Sequence, residues 1–398
     1  MRFFSTAGLL ICLAGCDVLA TEAPDDGDLF DAPFPWLTSP ELAAFARGDA
    51  EFGRAFAPAT GLGPIFNNVS CASCHSGDGR GRPENILVRF GQDGGPALAL
   101  GGPQLQDRAI PGAVAEVLPA GVEVSRRLPP PVFGVGLIEA IPEASILAHA
   151  DPSDANGDGI SGRAHMVIPP DWVPVTEPGG GAVERVGRFS RKAQVTSLVQ
   201  QTVEAYHQDM GVTSDFLLVE NVNPFAEAAT RAADRVADPE VSAATVMAVV
   251  NYLRMLAPPA PGAMSAERER GRALFGSMGC AGCHVPEYRT GPSPIPSLAD
   301  RTVTLYSDLL LHDMGEELAD HRPDGKASGM EWRTAPLWGL RVMSSFLNGD
   351  VFLLHDGRAR SIAEAIGYHG GEGASARAAF EALNAADRAA LLDFVGSR

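Results

Sequence analysis

The sequence predicts a mainly α-helical chain of two similar units, the first enlarged by long loops and a few short strands. Three observations carry that prediction. The stretches "VSCASCHSGDG" (69–79) and "GCAGCHVPE" (279–287) repeat one pattern, Cys-x-x-Cys-His. A helix-like segment stands before each copy and another after it, with apolar residues near helical spacing. Between the units, "APPAPGAM" (257–264) has the prolines and small residues of a linker.

Taken in order, residues 1–16 have the layout of an export signal: Arg2, an apolar run from Phe3 to Leu13, then small residues before Cys16. "LAGC" further resembles a bacterial lipobox, in which Cys16 is lipidated and becomes the new N-terminus. Cleavage after Ala20 instead would release the protein; either route places it in the periplasm. Residues 17–38 are expected to be a flexible tether. The first unit, 39–256, opens with "SPELAAFARGDAEFGRAF", where Ser39 is a helix cap. It includes the strand-like "ILVRF" and closes with "DPEVSAATVMAVVNYLRML", whose Val241, Val246, Val249, Val250 and Leu253 fall near helical spacing. The second unit, 265–398, starts at Ser265 with "SAERERGRALF" and closes with "LNAADRAALLDFVGSR". "GRAF" and "GRALF" read as an internal repeat.

With 49 acidic against 31 basic side chains the net charge is −18 over 398 residues, which repels nucleic acid and anionic lipid and favours a basic protein partner. Beyond the signal no run approaches the roughly 20 apolar residues that span a bilayer. Of six cysteines, Cys12 and Cys16 belong to the signal, so the mature chain has only Cys71, Cys74, Cys280 and Cys283, all in the repeated motifs.

The motif's chemistry follows from its residues. A zinc site has no need of a histidine directly after each cysteine pair, and a redox dithiol is expected beside a βαβ pattern that these helical, Gly- and Pro-rich surroundings lack. Covalent c-type haem needs two thiols at this spacing for its vinyl groups and the adjacent histidine for its iron. The chain is therefore expected to bind two c-type haems, on Cys71, Cys74, His75 and on Cys280, Cys283, His284. Each unit is then a cytochrome c-like domain.

The motifs together with "GPQLQDRAIPG", "FGVGLIEAIPE", "DANGDGISGR", "LLLHDMG", "EWRTAPLWGL" and "LLHDGRARSIAEAIGYHGGE" resemble the bacterial predicted di-haem thiol oxidoreductases over nearly the whole mature chain. More distantly they resemble the di-haem cytochrome c peroxidases and MauG. In those relatives the distal ligand of the electron-transfer haem lies fourteen residues after the histidine of the "HDG" turn. Counted from His355 this is His369, where the peroxidases have methionine and MauG tyrosine. The resemblance thus implies a bis-histidine C-terminal haem, His284 and His369, with His312 and His207 as rivals. It also implies Glu139 as a distal acid–base group and Gln106 as a second distal residue of the N-terminal haem. Read alone, these two are a helix-start carboxylate and a turn amide.

"DANGDGISGR" sets Asp154, Asn156 and Asp158 at alternate positions before Gly159, the first half of an EF-hand-like calcium loop. Its twelfth position is His165 rather than glutamate, so a solvated Asx-rich turn is the alternative. The function expected is an exported oxidoreductase of the peroxidase type. It would draw electrons from a small, basic periplasmic protein at the C-terminal haem and pass them to a reactive N-terminal haem. The alternatives are a non-catalytic electron-transfer cytochrome and a haem-stabilised binding component in metal acquisition.

Overall fold

The computed structural model describes residues 25–398 except 76, 78 and 80, so Cys16 and the export signal lie outside the described residues. Twelve α-helices are present among them: α1 (Ser39–Phe52), α2 (Cys71–Cys74), α3 (Val135–Ala140), α4 (Glu143–Leu147), α5 (Leu198–Met210), α6 (Glu227–Ala233), α7 (Ala243–Met255), α8 (Ala266–Ser277), α9 (Met343–Phe346), α10 (Ile362–Gly367), α11 (Ala374–Glu381) and α12 (Ala385–Gly396). Strands occur only as antiparallel pairs. The longest joins β2 (Leu87–Gly91), the expected "ILVRF" strand, to β4 (Glu123–Arg127).

Two helix pairs organise the molecule, α1 crossing α7 and α8 crossing α12. Both crossings are built on a glycine. A Cβ on Gly48 would lie 2.2 Å from the Ala248 carbonyl, and one on Gly271 would lie 2.1 Å from the Ala390 carbonyl. Only a residue without a side chain lets the backbones approach this closely. One turn on, Phe52 meets Tyr252 at 5.3 Å between ring centroids and Phe275 meets Phe394 at 5.6 Å. The structural repeat is therefore "RGDAEF" (47–52) against "RGRALF" (270–275). The expected register, "GRAF" at 53–56 against "GRALF", is five residues out.

Caps explain where these helices begin. The Ser242, Ser265 and Asn384 side chains each accept the amide three residues on. For α1 the cap is Thr38, one residue before the expected Ser39, and its amide donates to Glu41 at 2.7 Å.

The linker separates helix pairs but not cores. One apolar cluster runs from Phe30 through α1, α5 and α7 to Val285, Leu298, Leu310 and Trp338; a smaller one holds Phe275, Phe380, Leu391 and Phe394. The expected tether is correspondingly shorter. Phe30, Phe34 and Leu37 are buried, Phe30 packs on Phe133 and Phe346, and the Phe34 amide donates to the Met255 carbonyl, so the segment is core from Phe30 onward.

Candidate active site

Both cysteine-histidine motifs wind into one helical turn. Ser70 caps the first by accepting the Ser73 amide, and the His75 amide donates to the Cys71 carbonyl at 2.9 Å. In the second, the His284 amide donates to the Cys280 carbonyl, also at 2.9 Å. Spacing of i, i+3, i+4 brings two sulfurs and an imidazole onto one face. No disulfide closes either pair. Burial pushes the Cys74 and Cys280 thiols up to about 11, so both are protonated at neutral pH.

The rings are fixed alike. His75 Nδ1 donates to the Gly79 carbonyl at 3.3 Å, and His284 Nδ1 donates to the Tyr306 carbonyl at 2.8 Å. A carbonyl can only accept, so Nδ1 carries the hydrogen. Burial pushes both rings down to about 4, keeping them neutral. What remains is an Nε2 lone pair, the form in which histidine binds a metal.

A third ring shares this arrangement. His369, just past α10, donates Nδ1 to the Ala365 carbonyl at 2.8 Å and is held neutral by burial. It is also near enough to His284 to press that ring's pKa down further.

Among the other histidines, three have ring nitrogens engaged in hydrogen bonds. His312 lies between Asp308 (2.8 Å) and Glu372 (2.7 Å); against the effect of burial, these and Cys283 push it up to about 12, leaving an imidazolium with no lone pair. His207 spends Nε2 on the Val219 carbonyl. His165 spends one nitrogen on the Lys192 carbonyl and the other on the Lys326 amide. His355 stacks on Trp332 at 3.7 Å, and His149 sits edge-on to Tyr288. His321 is exposed beside Glu316. Beside the motif's own His284, the second motif has a further neutral ring, His369, with its Nδ1 spent and its Nε2 available. Each thiol pair with its neutral imidazole fits a haem.

The remaining expected residues are placed as follows. Gln106 is buried; its amide donates to Glu116 at 2.7 Å and its Nε2 to the Gln208 carbonyl at 2.8 Å, while its Oε1 is buried with no hydrogen bond among the described residues. Glu139 is also buried, but both oxygens are engaged: Oε1 accepts the Leu198 amide at 2.8 Å and Oε2 pairs with Arg254 at 2.6 Å. It ties α3 to α5 and α7. Glu116 escaped the sequence reading. Burial pushes its carboxyl up to about 7, the range a proton-transfer group needs. A lone carboxylate in the apolar "VAEVL", ten residues after Gln106, was the available signal.

In the 154–159 loop the side chains serve the loop itself. Asp154 accepts the Gly159 amide, Asn156 accepts the Asp158 amide, and Asp158 accepts the Ile160 amide. Among the described residues no helix is long and apolar enough to cross a membrane.

With this geometry in hand, the family comparison is decisive. The model of the family described as "Di-haem oxidoreductase, putative peroxidase" matches residues 13–91 and 111–398. The chain belongs to that family. Membership of a di-haem family implies haem cofactors. No curated protein sequence matches the chain.

Among solved structures, the chain is similar to hydrazine synthase from Kuenenia stuttgartiensis, at 15% identity over 100% of this chain and 99% of that one, with a TM-score of 0.40. It is similar to a variant of the diheme peroxidase BthA from Burkholderia thailandensis, at 17% identity over 90% and 86%, TM-score 0.38. It is also similar to a MauG-like protein associated with microbial copper homeostasis, at 16% identity over 53% and 69%, TM-score 0.30.

Proposed function

We propose that the chain is an exported di-haem c-type cytochrome oxidoreductase of the peroxidase type. Cys71 and Cys74, and Cys280 and Cys283, hold the haems as thioethers; His75 and His284 are the proximal ligands, and His369 is the second ligand of the C-terminal iron. When bound, the haems supply one-electron chemistry, entering at the C-terminal iron and reaching a substrate-reactive N-terminal iron. One observation supports this most: two neutral rings accompany the second motif and one accompanies the first.

The chain's own groups handle protons and access. Glu139 is committed to Arg254, so the acid–base role passes to Glu116, which titrates near neutrality and is held by the Gln106 amide. The net charge of −18 suits a small, basic periplasmic electron donor. A lipid on Cys16 would keep the enzyme at the membrane where such donors are recharged.

The test is to mix the fully reduced holoprotein with one equivalent of hydrogen peroxide in a stopped-flow spectrometer. Two electrons and two protons reduce one peroxide to two waters, so one equivalent is expected to oxidise both haems. A reduced spectrum untouched by peroxide would make the protein a non-catalytic electron-transfer cytochrome.

A further inference from the structure

Beside the first motif, four buried cations converge on two carboxylates. Arg127, Arg322 and Arg89 approach Asp324 at 2.8, 3.1 and 3.8 Å, and Lys192 sits 2.7 Å from Asp320, which Arg127 also approaches at 3.9 Å. The side chains of Lys192, Arg322 and Arg127 are 0%, 2% and 6% exposed. Removing charge from water is costly unless opposite charge matches it. Two carboxylates do not match four cations. Burial accordingly pushes Arg127 down to about 10 and Lys192 down to about 8.

The donors are unspent as well. Arg127 Nη1 and Nη2, Arg89 Nε, and Arg322 Nε and Nη1 are buried with no hydrogen bond among the described residues. Asp324 alone faces three guanidinium groups, so most of their N–H donors find no partner in it.

Arg127, Arg89 and Arg191 line a cavity of about 90 Å³ together with Gln104, Gln208 and Asp209. Asp209 and Glu204 on the same wall both face Arg89, and burial pushes both carboxyls upward, Asp209 to about 6. The cavity adjoins the motif on two sides. Its Pro130 backbone meets the His75 ring, and its Asp209 lies near enough to Cys74 to affect that thiol. Arg191 acts electrostatically on His75, with its guanidinium held by two hydrogen bonds to the Leu128 carbonyl. The missing partner is thus a pair of carboxylates belonging to a group bound at the first motif.

We propose that Arg127, with Arg191 and Arg89 beside it, holds the propionate carboxylates of the N-terminal haem. This rests on the haem reading above and adds where that haem's anionic edge lies. The guanidinium cluster offsets the propionate charge, which favours the reduced iron over the oxidised iron with its additional positive charge.

The experiment is a spectroelectrochemical titration of the holoprotein at pH 6 and pH 8. It compares wild type with Arg127→Gln, with Asp324→Asn in case that variant misfolds, and with Arg127→Lys. The expected result in Arg127→Gln is a lower midpoint potential, newly pH-dependent, for the haem whose spectrum His369→Ala leaves unchanged. The other haem should stay put, and the Lys variant should recover most of the shift.

Equal potentials in wild type and a folded Arg127→Gln variant, or in wild type and Asp324→Asn should the former misfold, would overturn the assignment. So would a spectral response of the wild-type holoprotein to added succinate that Arg127→Gln abolishes, because the cluster would then be a site for a free dianion. Fewer than two haems per chain by pyridine haemochrome in wild type would overturn the haem reading itself, and this one with it.

Discussion

The two halves share a helix crossing and differ in what the connecting chain delivers to it. Gly48, Phe52 and Tyr252 in one half stand where Gly271, Phe275 and Phe394 stand in the other, and each crossing lies over a Cys-x-x-Cys-His turn. Between α8 and α12 the chain brings back α10 and, at its end, His369. Between α1 and α7 it brings instead Gln106, a buried Glu116, and Arg127 from the β2–β4 pair. The difference teaches that one crossing can serve two halves while the intervening segment decides what comes with it, a neutral histidine ring in one half and buried polar and charged groups in the other.

Replacing the crossing glycines strikes what the halves share. Gly48→Val and Gly271→Val each put a side chain into backbone, at a cost of about 3 kcal/mol or more. Because one core runs through both halves, calorimetry should give a single, lowered transition in each variant. Two separated transitions would mean that the halves unfold independently.

Next in size, Glu139→Ala removes an internal tie that belongs to the N-terminal half. It leaves the buried Arg254 with Glu177 alone, and urea unfolding should show a loss of about 3 kcal/mol. Wild-type stability in that variant would place the ion pair's worth elsewhere.

Glu116→Gln addresses the same half through its chemistry. Peroxide turnover should fall by about 100-fold with the fold intact. Stability gives a second readout. The carboxyl's folded value near 7 lies above its unfolded value of 4.5, so the native state holds a proton that the unfolded state releases between them. Wild type therefore loses stability as pH rises from 4.5 through 7, and the variant should lose less.

A smaller effect of the same sign is expected at Glu220, whose oxygens gather with those of Asp234, Asp238 and Glu240. Burial, then the neighbouring carboxylates, push Glu220 up to about 9. Stability from this group declines between pH 4.5 and 9, so Glu220→Gln should melt slightly higher than wild type at pH 8. An unchanged melting curve would show that solvent already screens the cluster.

The motif was wholly legible in the sequence because two thiols and a ring must share one helical face, which permits a single spacing. His369 was singled out only through resemblance, since nothing in "IGYHGG" announces a ring near His284. The repeat was misaligned because "GRAF" and "GRALF" match as strings, whereas the helices match at a contact: Gly48 touches α7 and Gly53 ends α1.

Glu139 was singled out over Glu116 for a related reason. A carboxylate's role is set by its partners, and Arg254, 115 residues away, leaves no local trace beside Glu139. The 17–38 segment reads as a tether in composition, yet its Phe30 packs on Phe133 and its Phe34 amide donates to the Met255 carbonyl, each more than a hundred residues distant. Of the strands only "ILVRF" showed itself, because several of the others are two residues long and are held by tertiary contacts rather than by propensity.

The asymmetry between the halves is tested most directly by low-temperature EPR of the oxidised holoprotein, before and after His369→Ala. One high-spin and one low-spin signal, with the low-spin signal converted in the variant, is the result expected from a single ring at the first motif and the His284–His369 pair at the second. Two low-spin signals that His369→Ala leaves unchanged would contradict it.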